Sequence, residues 1–205
     1  MADNYLEKKM EDLRNRKRTS DTRSPSPYRM KGVLVFPFSH KKVLIDIPDS
    51  ITRLILIREF VRTGSQVAVI EKDEQIGNQL AHDEGVRVYH SDDTHKVLAN
   101  LCHEWGWLTQ IVCTPDREND LAKEWRSMIE GFDNTSYSGR RFITLKEKED
   151  AIYPDLLAEI GVACNNIVAP RESLDKFETA ERFTNICTFL AVVGNENIRN
   201  ITFHV

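Results

Sequence analysis

The sequence predicts a doubly wound α/β domain: a parallel sheet of about six to seven strands with helices on both faces. Three observations predict it. From residue 32 onward, short apolar and largely β-branched runs alternate with helix-length segments. Glycines stand where those helices should end, at Gly64, Gly85 and Gly106. The strand runs hold few polar residues, as strands covered on both faces do. Right-handed crossovers then distribute the helices to both sides.

The elements follow in order. Val33–Phe36 and Val43–Ile47 are apolar runs, and Ile51–Val61 has apolar residues crowded around a helix. Gln66–Ile70 reads as a strand, Asp73–Glu84 as a helix, Val86–His90 as a strand, Thr94–Trp105 as a helix and Thr109–Cys113 as a strand. Past residue 116 the pattern loosens. There the reading is helix Leu121–Met128, strand Phe142–Leu145, helix Asp150–Ile160 and strand Val162–Val168. A helix from Leu174 to about Val192 and a strand Ile198–Val205 complete it.

Composition bounds the rest. Hydrophobic residues make up 40% and charged residues 29% of the 205, enough to bury one substantial core. No apolar run reaches membrane-spanning length, and Met1–Arg18 is too charged for a secretory h-region. Cys102, Cys113, Cys164 and Cys187 form no C-x-x-C pair, which fits reduced thiols and a cytoplasmic setting.

Charge is unevenly spread. Residues 1–31 hold nine Lys/Arg and five Asp/Glu, a net +4; the overall −4 therefore leaves −8 for residues 32–205. This divides the chain into a basic arm, 1–31, and one domain, 32–205. Within the arm, Leu6, Met10 and Leu13 suggest a short helix over Asn4–Asn15, and Thr19–Pro27 reads as a linker. The arm lacks aromatic interleaving and the body is acidic, which argues against nucleic acid as a partner.

In this fold class a ligand sits at the carboxyl ends of the strands, where the first strand passes into its helix. The segment concerned is Asp46-Ile-Pro-Asp-Ser-Ile-Thr-Arg53, which has no glycine. A dinucleotide needs bare backbone there to approach the pyrophosphate. Ile47 and Ile51 add bulk instead, Pro48 has no N–H, and Asp46 and Asp49 set negative charge where a phosphate would lie. Asp49 or Ser50 suits the N-cap.

These residues resemble a short-chain dehydrogenase/reductase, and Lys41–Ala81 carries the likeness. The family motif T-G-x-x-x-G-x-G overlays the loop without a gap, with Asp46 at the Thr and Ile47, Ile51 and Arg53 at the three glycines. Glu71 falls at the acidic position that holds the adenosine ribose in NAD-using relatives, and Asp92 at the adenine-side Asp. Cys113-Thr-Pro-Asp116 replaces the Asn-Asn-Ala-Gly signature. Ile160–Pro170 and Thr179–Phe189 resemble the family's later strand and last helix. The resemblance implies a Rossmann-like, NAD(P)-binding-type fold, with Ser50, Arg53, Glu71 and Asp92 as vestigial cofactor contacts and NAD(H) as the cofactor if any is bound.

The family's Tyr with Lys four residues on is missing from the body. Tyr153 is followed at that place by Leu157, Tyr137 by Arg141 and Tyr89 by Asp93, while Tyr5 with Lys9 lies in the arm. Only Glu147–Ile160 is available for the helix that carries the pair. No catalytic residue and no metal ligand is therefore expected. His95 and His103 stand too far apart on one helix to share a metal. A Cys113–His90 nucleophile is weaker than core packing for Cys113. Trp105 and Trp107 are expected to cover the sheet. The resulting expectation is a non-catalytic binding or interaction module, self-associating or paired with an active relative. The alternative is an NAD(P)-dependent short-chain oxidoreductase, or a binder of another nucleotide, with a divergent site.

Overall fold

The computed structural model describes residues 41–131, 139–148, 154–191 and 198–205. The basic arm, its Asn4–Asn15 helix and the Val33–Phe36 run lie outside these residues.

Seven strands form one sheet: β1 Lys42–Asp46, β2 Gln66–Ile70, β3 Arg87–Tyr89, β4 Gln110–Cys113, β5 Arg141–Lys146, β6 Ala163–Val168 and β7 Ile201–His204. Their order is β3-β2-β1-β4-β5-β6-β7, and every neighbouring pair is parallel. The chain order reverses between β1 and β4, so the switch point lies there. The helices are α1 Ile51–Arg62, α2 Glu74–Glu84, α3 Thr94–Trp105, α4 Pro115–Gly131, α5 Asp155–Ala158 and α6 Phe177–Ala191.

Period-two alternation divides the strand side chains between two cores. Val43, Ile45, Val67, Val69, Val112, Ile143 and Ile167 pack with α1 and α6 residues such as Leu56, Phe60 and Phe183. Leu44, Ala68, Ile111, Cys113, Phe142 and Cys164 face the other way, onto Leu98, Leu101, Leu121 and Trp125 of α3 and α4. Trp125 lies tilted against Phe142, ring centroids 6.2 Å apart.

The caps explain the helix boundaries. Asp73 accepts from the N–H groups of Gln75 and Ile76, and Gly85 closes α2 in the left-handed region at φ 66°. Asp93 caps α3 through Lys96 N–H. Three sequence expectations are corrected. The helix expected over Leu121–Met128 runs from Pro115 to Gly131, because proline suits a first turn and Asp116 and Glu118 oppose its dipole. The last helix starts at Phe177, since Arg171–Ser173 forms a 3₁₀ turn before it. Within the expected Asp150–Ile160 helix only Asp155–Ala158 is helical among the described residues, preceded by Pro154. Residues 149–153 lie outside the description.

Trp107 also departs from expectation. It is half-exposed rather than laid on the sheet, and the Lys42 ammonium stands 3.9 Å from its ring centre.

Candidate functional site

The crevice at the carboxyl ends of β1 and β4 is bounded by the loop that enters α1. Ile47 and Ile51 are buried, Ile47 in the core shared with α1 and α6, so side chains stand at the places where glycines would leave bare backbone. A helix of this kind offers free first-turn N–H groups to an anion. Here all three are answered from within the chain. Ile51 N–H donates to the Asp175 carboxylate (3.1 Å), Thr52 N–H to the Leu174 carbonyl (3.1 Å) and Arg53 N–H to Ser50 Oγ (3.1 Å). The Thr52 hydroxyl adds a second bond to the Leu174 carbonyl at 2.5 Å. Ser50 is therefore the N-cap, as one of the two residues expected for that role.

Arg53 is only 2% exposed. Its guanidinium donates to Glu71 at 2.7 Å and to Asp49 at 2.5 Å. Glu71 sits just past β2, and its second oxygen accepts Asp73 N–H at 2.9 Å. The structure thus brings Ser50, Arg53 and Glu71 together, but around one another. Asp92 stands apart: its exposed carboxylate pairs with Lys72 at 3.0 Å, and its carbonyl accepts from Arg117. Glu71 is thus held by Arg53, and the first-turn donors of α1 are bonded within the chain.

A second polar group, which sequence reasoning missed, lies across the same strand ends. Asp46, Cys113, Thr144 and Asn166 are register partners across β1, β4, β5 and β6, and all four face the α3–α4 side. The row before it on that face, Leu44, Ile111, Phe142 and Cys164, is apolar and fully buried. Over the polar row lies the first turn of α4. Glu118 accepts from the Thr144 hydroxyl at 2.8 Å and stands 3.9 Å from the Lys146 ammonium. Arg117 reaches Asp46 at 3.0 Å and also the Thr94 hydroxyl. The signal was present in Thr144, Lys146, Asn165 and Asn166, polar residues inside strand-length runs. Only the register shows that three of them share a face.

Electrostatics argue against nucleophilic chemistry here. Burial pushes the Cys113 thiol well above the usual range, and the negative charges of Glu118 and Asp46 push it further. Asp46 is also raised by burial, an effect opposed by the Arg117 hydrogen bond. His90 does not pair with Cys113; its ring nitrogen meets the Glu71 carbonyl at 2.8 Å. His95 is engaged by Glu124. No group of three or more His, Cys, Asp or Glu is arranged around a metal position among the described residues.

Among the described residues Tyr89 is followed four places on by Asp93. Arg141, the residue four after Tyr137, lies at the amino end of β5. It donates to the Asn165 side chain at 2.6 Å and the Ile198 carbonyl at 2.8 Å. That is the opposite end of the sheet from the crevice. Tyr137 and Tyr153 lie outside the described residues. No described helix is long and apolar enough to cross a membrane.

No family model matches this sequence. No curated protein matches it either. Solved structures do match. A short-chain dehydrogenase/reductase from Serratia marcescens aligns at 11% identity, covering 82% of this chain and 97% of that one, with a TM-score of 0.62. An enoyl-(acyl-carrier-protein) reductase from Anaplasma phagocytophilum, in complex with NAD, aligns at 13% identity over 80% and 91%, TM-score 0.58. BdcA from E. coli in complex with NADPH aligns at 13% identity over 80% and 92%, TM-score 0.56. Strand order, switch point and these likenesses agree: this chain has the Rossmann-type fold of the short-chain dehydrogenase/reductases.

Proposed function

We propose that this chain is a non-catalytic protein of that fold, acting as a binding or interaction module that pairs with itself or with an active relative. One observation carries the reading. The Arg53 guanidinium is buried against Glu71 beside the start of α1, and the first-turn donors there are already bonded. Glu71 would favour NAD(H) over NADP(H) if a dinucleotide entered, but its carboxylate is committed. The sequence supports the same conclusion on the catalytic side, since residues 147–162 alone separate β5 from β6 and no body Tyr has its Lys.

The test is calorimetric titration of the full chain with NAD(H) and NADP(H). No heat of binding in the micromolar range is expected for either. Micromolar affinity for one of them, weakened by Glu71→Ala, would overturn the reading and favour a divergent oxidoreductase.

A further inference from the structure

Cys102 and Met128 take no part in the crevice. They lie in the last turns of α3 and α4, at the amino end of the sheet and so at the opposite end of the domain. Their sulfur atoms stand 3.7 Å apart. Both residues are part-exposed and line one small surface notch, with Trp107 and Trp125 as apolar walls and Arg140 beside them. With metal–sulfur bonds of about 2.3 Å, two sulfurs at that separation subtend roughly 107° at a common ion. Opening the pair to about 4.0 Å gives the roughly 120° of a trigonal site, a movement the unbranched Met128 side chain can make.

We propose that Cys102 and Met128 bind a soft monovalent cation, Cu(I) being the biological ion of that class. Thiolate and thioether are the ligands that select such an ion over hard divalent ones. On binding, the Cys102 thiol gives its proton to solvent. Cys102 Sγ and Met128 Sδ then each donate an electron pair to the ion, and no electron is transferred. The charges of thiolate and ion cancel, so no net charge is placed against Trp107 and Trp125. A divalent ion would leave one positive charge in the notch, beside the Arg140 guanidinium and near the Lys42 ammonium over the Trp107 ring. The notch thus selects by charge as well as by softness. The last turns of two helices add partial negative charge, which favours a cation there. The site is independent of the switch-point crevice, and the reading of that crevice does not bear on it.

The experiment titrates the native chain, Cys102→Ser and Met128→Leu with Cu(I), held as its bicinchoninate complex under anaerobic conditions with ascorbate. The native chain should withdraw one equivalent per chain, seen as bleaching of the complex. The bound ion should also protect Cys102 from iodoacetamide, whereas Zn(II) at the same concentration should not. Cys102→Ser should withdraw none. Met128→Leu should bind at least roughly tenfold more weakly, the loss that follows even from removing an outer partner of a metal. The proposal is overturned by no withdrawal in the native chain, by equal withdrawal in Cys102→Ser, or by equal protection from Zn(II). Undiminished affinity in Met128→Leu also overturns it, since the thiol alone would then hold the ion. Should a variant fail to fold, Cys102→Ala or Met128→Ile replaces it under the same criteria. Protection of Cys102 is read on the native chain alone, and its absence overturns the proposal without any variant.

Discussion

Removing Arg53 should destabilise this protein more than removing any exposed arginine. In Arg53→Met the apolar stem is largely kept, while the guanidinium between Glu71 and Asp49 is lost. The Arg53 side chain is 3% exposed and that of Glu71 10%, whereas the Asp49 side chain is 55% exposed. The Asp49 contact is therefore screened and contributes little. The Glu71 contact decides the magnitude, because the change leaves a buried carboxylate with the Asp73 N–H as its remaining neutral donor. Breaking one side of such a pair costs about 3 kcal/mol. For a domain of this size that lowers the melting temperature by roughly 6–12 °C. Urea unfolding of the native chain, Arg53→Met, Glu71→Gln and the double variant measures it. The double variant should recover about 2 kcal/mol relative to the summed single costs, since it leaves no unpaired charge. A cost below about 1 kcal/mol for Arg53→Met, or simple additivity, would refute the argument that this arginine fills a closed crevice.

Three further outcomes are expected. Burial raises all four cysteine thiols, Cys164 to about 12, yet only Cys102 is partly exposed; iodoacetamide at mildly alkaline pH, followed by peptide mass spectrometry, should label Cys102 first and the others only on unfolding. Labelling of Cys113 as fast as Cys102 would reopen a nucleophilic role. Thr144→Val deprives the Glu118 carboxylate of its hydroxyl donor and should cost about 1–3 kcal/mol in urea unfolding. Finally, the hydrogen bond to Glu124 raises the His95 pKa. Its stabilising contribution is thus complete below the unfolded value near ~6.5 and disappears as pH climbs through the folded one. NMR titration should show His95 falling toward the ordinary value in Glu124→Gln.

Much of the fold was legible because its signals are local. Gln66–Ile70 and Thr94–Trp105 stand where periodicity and caps put them. The start of α4 was harder to read because Pro115–Asp120 offers no apolar repeat, only a proline and acids suited to a first turn. The loop sequence showed Ile47 and Ile51 in place of glycines, and both side chains are buried. It could not show what Ile51 and Arg53 meet. Asp175 meets Ile51 only through tertiary folding, and Arg53 meets Glu71 only because β2 lies beside β1. The polar row was invisible for a similar reason. Thr144 or Asn166 alone is an ordinary strand residue, and their alignment is a property of register across separate strands.

That row divides the sheet into strata with different tolerance to change. Beneath it, a new polar atom would be buried in hydrocarbon with no partner, at a cost of about 1–3 kcal/mol. At Asp46 and Thr144 polarity is already accommodated, by Arg117 and Glu118 respectively, and Lys146 borders the layer beside them. Of the row's four residues, only Asp46 is partly exposed, so it is the one position at which this layer meets solvent.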